Sequence, residues 1–315
     1  MSKQTKTLAP ERSLQNQDYP GLFQGADIAA TVAQSVFFNF QKVYLGSLIV
    51  GSMIGASVVI VPQEYLDWVY TTMALILVLG LLMLWIGRSR RDDKAWFDCR
   101  AIAESVKTST WRYMMKGPPF SEDTDTNALF VEELQRIRSA RDECQKHISK
   151  IKNASESAIS EAMRNVRNSD FQSRKKFYVS DRLLDQKSWY ATKARENSEI
   201  GGRWFGWIVF LQILAIAFAI IKASSGELPI NIVPVITTLA AVATAWSQMK
   251  RHDELNKTYG LAAQELSDLE ALAVDIVNED LFSDFVEQVE ETISREHTMW
   301  CARRDVPLAL VQGKR

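Results

Sequence analysis

Val43–Val61 reads VYLGSLIVGSMIGASVVIV and contains no Asp, Glu, Lys or Arg. Three other windows share that property: Trp68–Gly87 (WVYTTMALILVLGLLMLWIG), Trp204–Ile221 (WFGWIVFLQILAIAFAII) and Leu228–Met249 (LPINIVPVITTLAAVATAWSQM). Each holds roughly 18 to 22 residues, enough as a helix to span the ~30 Å hydrocarbon core of a bilayer. The averages conceal this, because 24% charged residues and a net charge of -1 also describe an ordinary soluble chain. Here the charges are segregated outside the windows.

A buried soluble helix can also be apolar all round, so the flanks decide. Tyr44, Trp68, Trp85, Trp204, Trp207 and Trp246 stand at or near segment ends, where amphipathic rings settle at headgroup level. Lys42, Arg88, Arg90, Arg91, Arg203, Lys250 and Arg251 close the opposite boundaries; the connection Pro62–Asp67 has no basic residue and Lys222–Glu227 has one. The positive-inside bias then predicts a multi-pass protein with both short turns outside and both termini cytoplasmic. The opening MSKQTKTLAPERSLQNQ is polar, so insertion through the chain's own spans is expected. Cys99, Cys144 and Cys301 are odd in number and fall in predicted cytoplasmic regions, which predicts reduced thiols.

The expected fold is an all-α membrane protein with four transmembrane helices in two hairpins, and long amphipathic cytoplasmic helices forming a bundle or coiled coil. Two units repeat one order of parts. The first covers 19–152, with spans 43–61 and 68–87 and cytoplasmic helices 95–116 and 126–152; Gly117–Phe120 (GPPF) stops the earlier helix, as proline cannot continue it and glycine relaxes the backbone. A connecting helical segment takes 153–172. The second unit covers 173–305, with spans 204–221 and 228–249 and cytoplasmic helices over 250–303. Leu255, Tyr259, Ala262, Leu266, Leu269, Ala273 and Ile276 alternate steps of four and three, a heptad seam that serves an intrachain bundle or a subunit contact equally well. No run shows convincing strand alternation.

Catalytic patterns are missing: there is no nucleophile elbow, phosphate loop, metalloprotease histidine pair or dinucleotide glycine motif. No enzyme activity, cofactor, metal or nucleic-acid binding is therefore expected. Cys144 and His147, with His297 and Cys301, have zinc-ligand spacing, but Cys144 belongs to an apolar stripe. Glu290 and Glu291 read as a solvated helix face, and Arg88, Arg90, Arg91 and Lys94 as a topology signal touching anionic lipid.

Inside the spans, Ser47, Gly51 and Gly55 form a small-residue face for close packing, within the hairpin or against another helix. Candidate pore-lining residues are Gln212, Thr237, Thr238, Ala241, Thr244 and Ser247, and Pro234 a turn earlier predicts a kink. The absence of intramembrane charge argues against a proton relay or coupled transporter. Trp96, Arg100, Glu104, Lys107, Trp111 and Arg112 lie on one helix just inside the membrane, with spacings for side-chain pairs. They serve either as a signal-receiving cluster or as a structural charge network. Trp189, Tyr190, Lys193 and Arg195 fill the corresponding place before the third span, as an interfacial anchor.

YPGLFQGADIAATVAQ, WFDCRAIAESVKTSTWRYMMKGPPF and WYATKAREN, with YGLAAQELSDLEALA and REHTMWCARR, resemble the bacterial SLATT family, the SMODS- and SLOG-associating two-TM effector domains. The first two stretches resemble one subtype and the rest another, as two units in tandem. The resemblance implies an inner-membrane effector of conflict and anti-phage defence by abortive infection. Such effectors are proposed to form pores, so a pore-forming homo-oligomer is expected here, with the lipid bilayer as a partner and a sensor protein or nucleotide second messenger as trigger. This chain carries no recognisable nucleotide-sensing domain of its own. The alternative is a non-conducting membrane scaffold that anchors a partner enzyme or sensor.

Overall fold

The computed structural model of the protein describes residues 13–122, 124–140, 142–148, 157–225 and 230–302, the side chains of 142, 143, 225 and 295–302 apart. Every regular element among them is helical, as the sequence predicts: α1 Gly21–Ser57, α2 Leu66–Arg90, α3 Asp92–Met115, α4 Thr126–Ser139, α5 Asp142–Ile148, α6 Glu161–Arg167, α7 Phe171–Tyr178, α8 Asp185–Ser225, α9 Val233–Lys250, α10 His252–Leu272 and α11 Glu279–Ala302. A π-helical turn, Val179–Leu184, joins α7 to α8. Three helical stretches are long and apolar enough to cross a membrane, Gly21–Ile60, Gln63–Met115 and Phe171–Ser224.

The chain divides into two compact units. One is built from the N-terminal region to Gln34, Asp93–Lys193 and the chain from Thr258; the other from Ser35–Asp92 and Ala194–Lys257. The first unit has a conventional apolar core. Ile102, Ala103, Val106 and Met114 of α3 join Phe130 of α4, Met163 of α6, Leu266 of α10 and Phe282, Val286 and Val289 of α11. These positions recur at helical spacing, so each helix turns one apolar stripe inward. Tyr113, Phe120 and Phe130 form an aromatic trio with centroids 4.8 to 6.1 Å apart.

The end of α3 depends on two residues with different tasks. Lys116 takes the left-handed conformation (φ 57°), and the Gly117 N–H donates to the Arg112 carbonyl at 2.9 Å. Gly117 is small for another reason, since a Cβ there would lie 2.8 Å from Val286 Cγ1 on α11. The glycine thus permits close approach of two helices, and the lysine makes the turn.

Cys99 on α3 and Cys144 on α5 are joined by a disulfide, with Cα atoms 5.1 Å apart. This corrects the expectation of reduced thiols, which rested on compartment and an odd cysteine count. Packing α5 on α3 brings two fully buried cysteines together, which spacing in sequence does not reveal.

In the second unit α1 packs on α2 through the small-residue face. A Cβ on Gly51 would meet Leu77 at 3.0 Å and one on Gly55 would meet Met73 at 3.7 Å, while Ser47 lies against Gly80. α9 packs on α1 through Trp246, whose ring stands edge-on to Phe38 at 5.8 Å, and Lys250 Nζ lies 3.5 Å from the Phe38 ring centroid. Pro234 occupies the first turn of α9, where no backbone donor is needed. It starts the helix, so the expected kink is replaced by a helix N-terminus.

The two hairpins leave their second helix in the same way. Arg91 after α2 (φ 53°) and Arg251 after α9 (φ 55°) are both left-handed, within the matching tetrads Arg90-Arg91-Asp92-Asp93 and Lys250-Arg251-His252-Asp253. Asp92 is buried and accepts from Arg90 Nε at 2.7 Å; His252 Nδ1 lies 2.8 Å from Asn197 Oδ1. By contrast α1 and α8, of 37 and 41 residues, run on without a break.

Gly80→Ala would place a methyl 1.9 Å from Ser47 Oγ and 2.9 Å from Ser47 Cβ. Overpacking of this kind costs about 1–3 kcal/mol, so unfolding in detergent should shift accordingly, and adding Ser47→Gly should restore it. Alkylation without reductant should leave Cys99 and Cys144 unmodified, and both should react after reduction and unfolding.

Candidate functional site

The α3 cluster resolves into an outer and an inner part. Trp96 stacks on Phe97 with centroids 4.7 Å apart. Arg100 bridges two carboxylates, Asp27 of α1 at 3.1 Å and Glu104 one turn along at 2.5 Å. Deeper along the helix, desolvation and then the charge of Arg182 hold the Lys107 ammonium below its ordinary range, Glu104 opposing them. Trp111 is buried and donates from Nε1 to the Tyr19 hydroxyl at 3.1 Å. Arg112 Nε is buried with no partner among the described residues.

The inner part faces an ion pair that is 1% and 0% exposed. Arg182, in the π-turn, donates from Nε to Glu290 Oε1 at 2.8 Å and from Nη2 to Oε2 at 2.6 Å, a bidentate arrangement. Tyr178 donates to the same Oε1 at 3.1 Å. The Arg182 guanidinium carbon lies 5.8 Å from the Trp111 ring centroid, while its Nη1 has no hydrogen-bond partner among the described residues. Burial alone would lower the pKa of Arg182, but the charge and hydrogen bonds of Glu290 more than offset it, so the cation is locked in. Burial, then the Glu290 charge, pushes the Tyr178 phenol well up, and burial lifts Tyr19 to about 12. Both tyrosines are neutral donors or acceptors at neutral pH.

Two more buried arginines extend this arrangement. Arg167 Nη1 donates to the Tyr113 carbonyl at 2.6 Å and stands 5.0 Å from the Tyr113 ring centroid; Arg174 bonds the Ser169 carbonyl and Glu279. α6, α7 and the π-turn are thereby stitched to α3 and α11 through charge. In a low-dielectric core, each such group is costly unless paired.

Glu290 corrects the solvated-face reading. It lies four residues after Val286 and three before Ile293, on the buried stripe of α11, and only Glu291 is exposed. The same spacing marks Arg174, Tyr178 and Arg182, four apart. A charge lodged at an apolar position of a helical stripe is the signal that could have found them.

The remaining candidate residues lie elsewhere. Gln212 is exposed on α8; on α9, Thr237 and Ala241 are exposed and Thr238, Thr244 and Ser247 half-buried. Thr237 and Thr244 return their hydroxyls to carbonyls of their own helix, at 3.0 and 2.8 Å for the nearest. Ala262, Leu266, Ala273 and Ile276 of the seam belong to the first unit's core, with Tyr259 and Leu269 packed against it, while Leu255 is half-buried. Trp189 and Tyr190 pack their rings on Tyr259 at 5.4 and 5.7 Å; Lys193 and Arg195 lie along α8. Cys144 is committed to its disulfide, the His297 and Cys301 side chains lie outside the described residues, and no cluster able to hold a metal occurs among those described.

Family comparison matches two stretches. Residues 20–175 match the SMODS and SLOG-associating 2TM effector domain 3, and residues 178–300 match the SMODS and SLOG-associating 2TM effector domain 1. The chain belongs to the SLATT family. Its two SLATT domains stand in tandem, with only Lys176 and Phe177 between the matched stretches. No curated protein and no solved structure matches it. The buried polar centre takes groups from both SLATT domains, Lys107 and Trp111 from the first and Tyr178, Arg182 and Glu290 from the second, with Tyr19 immediately before the first matched stretch.

Arg182→Ala or Glu290→Ala alone strands a buried charge and should cost about 3–5 kcal/mol. Replacing both, as Arg182→Met with Glu290→Gln, should cost far less in the same denaturant titration. Alkaline stability supplies a further check. With the folded Tyr19 pKa raised above the ordinary 10.0 to about 12, its contribution is complete below pH 10.0 and is lost as pH rises towards 12, more so in the wild type than in Tyr19→Phe.

Proposed function

We propose that this SLATT protein is a bacterial membrane effector of an anti-phage conflict system. It crosses the inner membrane four times, with α9 as the fourth span, short turns outside and both termini in the cytoplasm. On a signal from a partner sensor or nucleotide messenger, copies assemble in the bilayer and open a pore that kills or arrests the cell. The action is physical and involves no enzymatic step.

One observation carries this reading. In the most apolar windows of the stretches containing α2 and α8, only 6% of residues are buried by the rest of the chain. Trp68, Leu75, Leu81, Trp85, Phe205, Trp207, Ile213 and Ile216 all point outward from these helices. Surface of that extent needs lipid or further copies to cover it. Gln212 lies on the same outward surface, and an amide at mid-span is stabilised by a partner across a helix–helix contact. At 18 residues α9 is about 27 Å long, close to the hydrocarbon thickness. The buried Cys99–Cys144 bond is compatible with a cytoplasmic site, because sulfurs out of reach of thiolates resist exchange.

Protein reconstituted into liposomes should collapse a potassium gradient above a threshold protein-to-lipid ratio, and cross-linking in those vesicles should trap oligomers. Gln212→Leu should lower both. Trapped oligomers with an intact gradient would replace the pore with a non-conducting scaffold.

A further inference from the structure

The π-turn at Val179–Leu184 lies within the apolar-cored unit, immediately before α8, which then runs unbroken from Asp185 to Ser225. A π-turn absorbs one more residue than an α-turn and is rare, so it persists where its surroundings hold it. Here the holding group is one carboxylate. Glu290 Oε1 takes a hydrogen bond from Tyr178, immediately before the turn, and another from Arg182, inside it, while Oε2 takes the second arm of Arg182. Leu183, next in sequence, is fully buried. The start and the middle of the turn are thus tied to a single point on α11, in a place where breaking the pair strands a charge.

We propose that the Arg182–Glu290–Tyr178 triad is a latch that holds the π-turn, and that its release lets the turn become α-helical and resets the rotational phase of the third span. The absorbed residue fixes the size of the change. Regularising the turn shifts everything downstream by one helical position, about 100° about the α8 axis with about 1.5 Å of translation. α8 would then present a different face to lipid or to a second copy. Disengaging Glu290 is the event a trigger must bring about, and it requires differential binding to the two states. The inference rests on the reading of α8 as a membrane span; its test does not depend on conductance.

Phase can be read where α8 meets the corner after α9. A Cβ on Gly201 would lie 3.3 Å from His252 Cβ, close to the separation that a disulfide needs. In full-length protein in vesicles, Gly201→Cys with His252→Cys should cross-link under mild oxidation. Adding Arg182→Met and Glu290→Gln, which keeps an acceptor for Tyr178, should abolish that cross-link. It should pass instead to Ile200→Cys with His252→Cys, because regularising the turn brings the preceding residue into the same place. Deleting Ser180, exposed in the turn, from the latch variant should restore the Gly201→Cys cross-link.

Deletion of Ser180 alone should leave the Gly201→Cys cross-link in place, as the flanks keep their register when the extra residue is removed. Its transfer to Gly202→Cys would show that the turn absorbs no residue and would overturn the proposal. Retention of the Gly201→Cys cross-link in the latch variant would overturn it as well, whatever the ion flux. Transfer to Ile200→Cys with rescue by the deletion, and no flux in any variant, would leave the latch standing and remove the pore.

Discussion

Hydrocarbon does not tolerate charge, and that constraint decides where nearly everything else in this chain is put. Seventy-five acidic and basic side chains have to be accommodated outside four windows that admit none. In the apolar helices, backbone polar groups are satisfied within each helix and hydroxyls such as those of Thr237 and Thr244 on α9 turn back to their own carbonyls. In the apolar-cored unit the crowded charges take two routes. Some, like Arg100 with Asp27 and Glu104, sit half in water where a pair is worth little. Others, Arg167, Arg174, Arg182 and Glu290, are driven into the core, where leaving any of them unpaired is expensive.

The sequence makes the first consequence legible and hides the second. Charge-free windows, their aromatic and basic flanks and the periodicity of α4, α10 and α11 are local signals, and local signals survive in one dimension. The Cys99–Cys144 bond and the Arg182–Glu290 pair join residues 45 and 108 positions apart, and such pairings exist only after the helices have packed. Glu290 looks solvated because charge in a sequence implies exposure, yet its spacing from Val286 and Ile293 places it on the buried stripe. Spacing within one helix groups the α3 residues, but the deeper pair, Lys107 and Trp111, meets a guanidinium that the π-turn supplies. Pro234 looks like an interruption in a continuous apolar window, and only the backbone shows that α9 begins there.

The two SLATT domains share more backbone logic than sequence. Each sends a long unbroken helix into its apolar segment, returns by a shorter one, and leaves through a left-handed arginine within a basic-Arg-x-Asp tetrad. Glycine would take that conformation at no steric cost, whereas arginine costs about 1–2 kcal/mol there. What differs is the lead-in: α1 is α-helical from Gly21, but the helix leading to α8 carries the π-turn and its buried cation. Only the second domain therefore has a lead-in whose helical geometry is tied to an ion pair.

On the four-span topology proposed above, the left-handed corners also bear on how the protein meets bilayers of unequal thickness. A residue at positive φ ends a helix outright, so α2 and α9 cannot recruit further turns past Arg91 and Arg251 when the hydrocarbon thickens. Their mismatch must be absorbed by tilting or by deforming the surrounding lipid. α1 and α8 have no such stop on the matching side and can slide their apolar stretch along a continuous rod. Each hairpin thus pairs a helix of fixed reach with one of adjustable reach, so membrane thickness becomes a shear between its two arms.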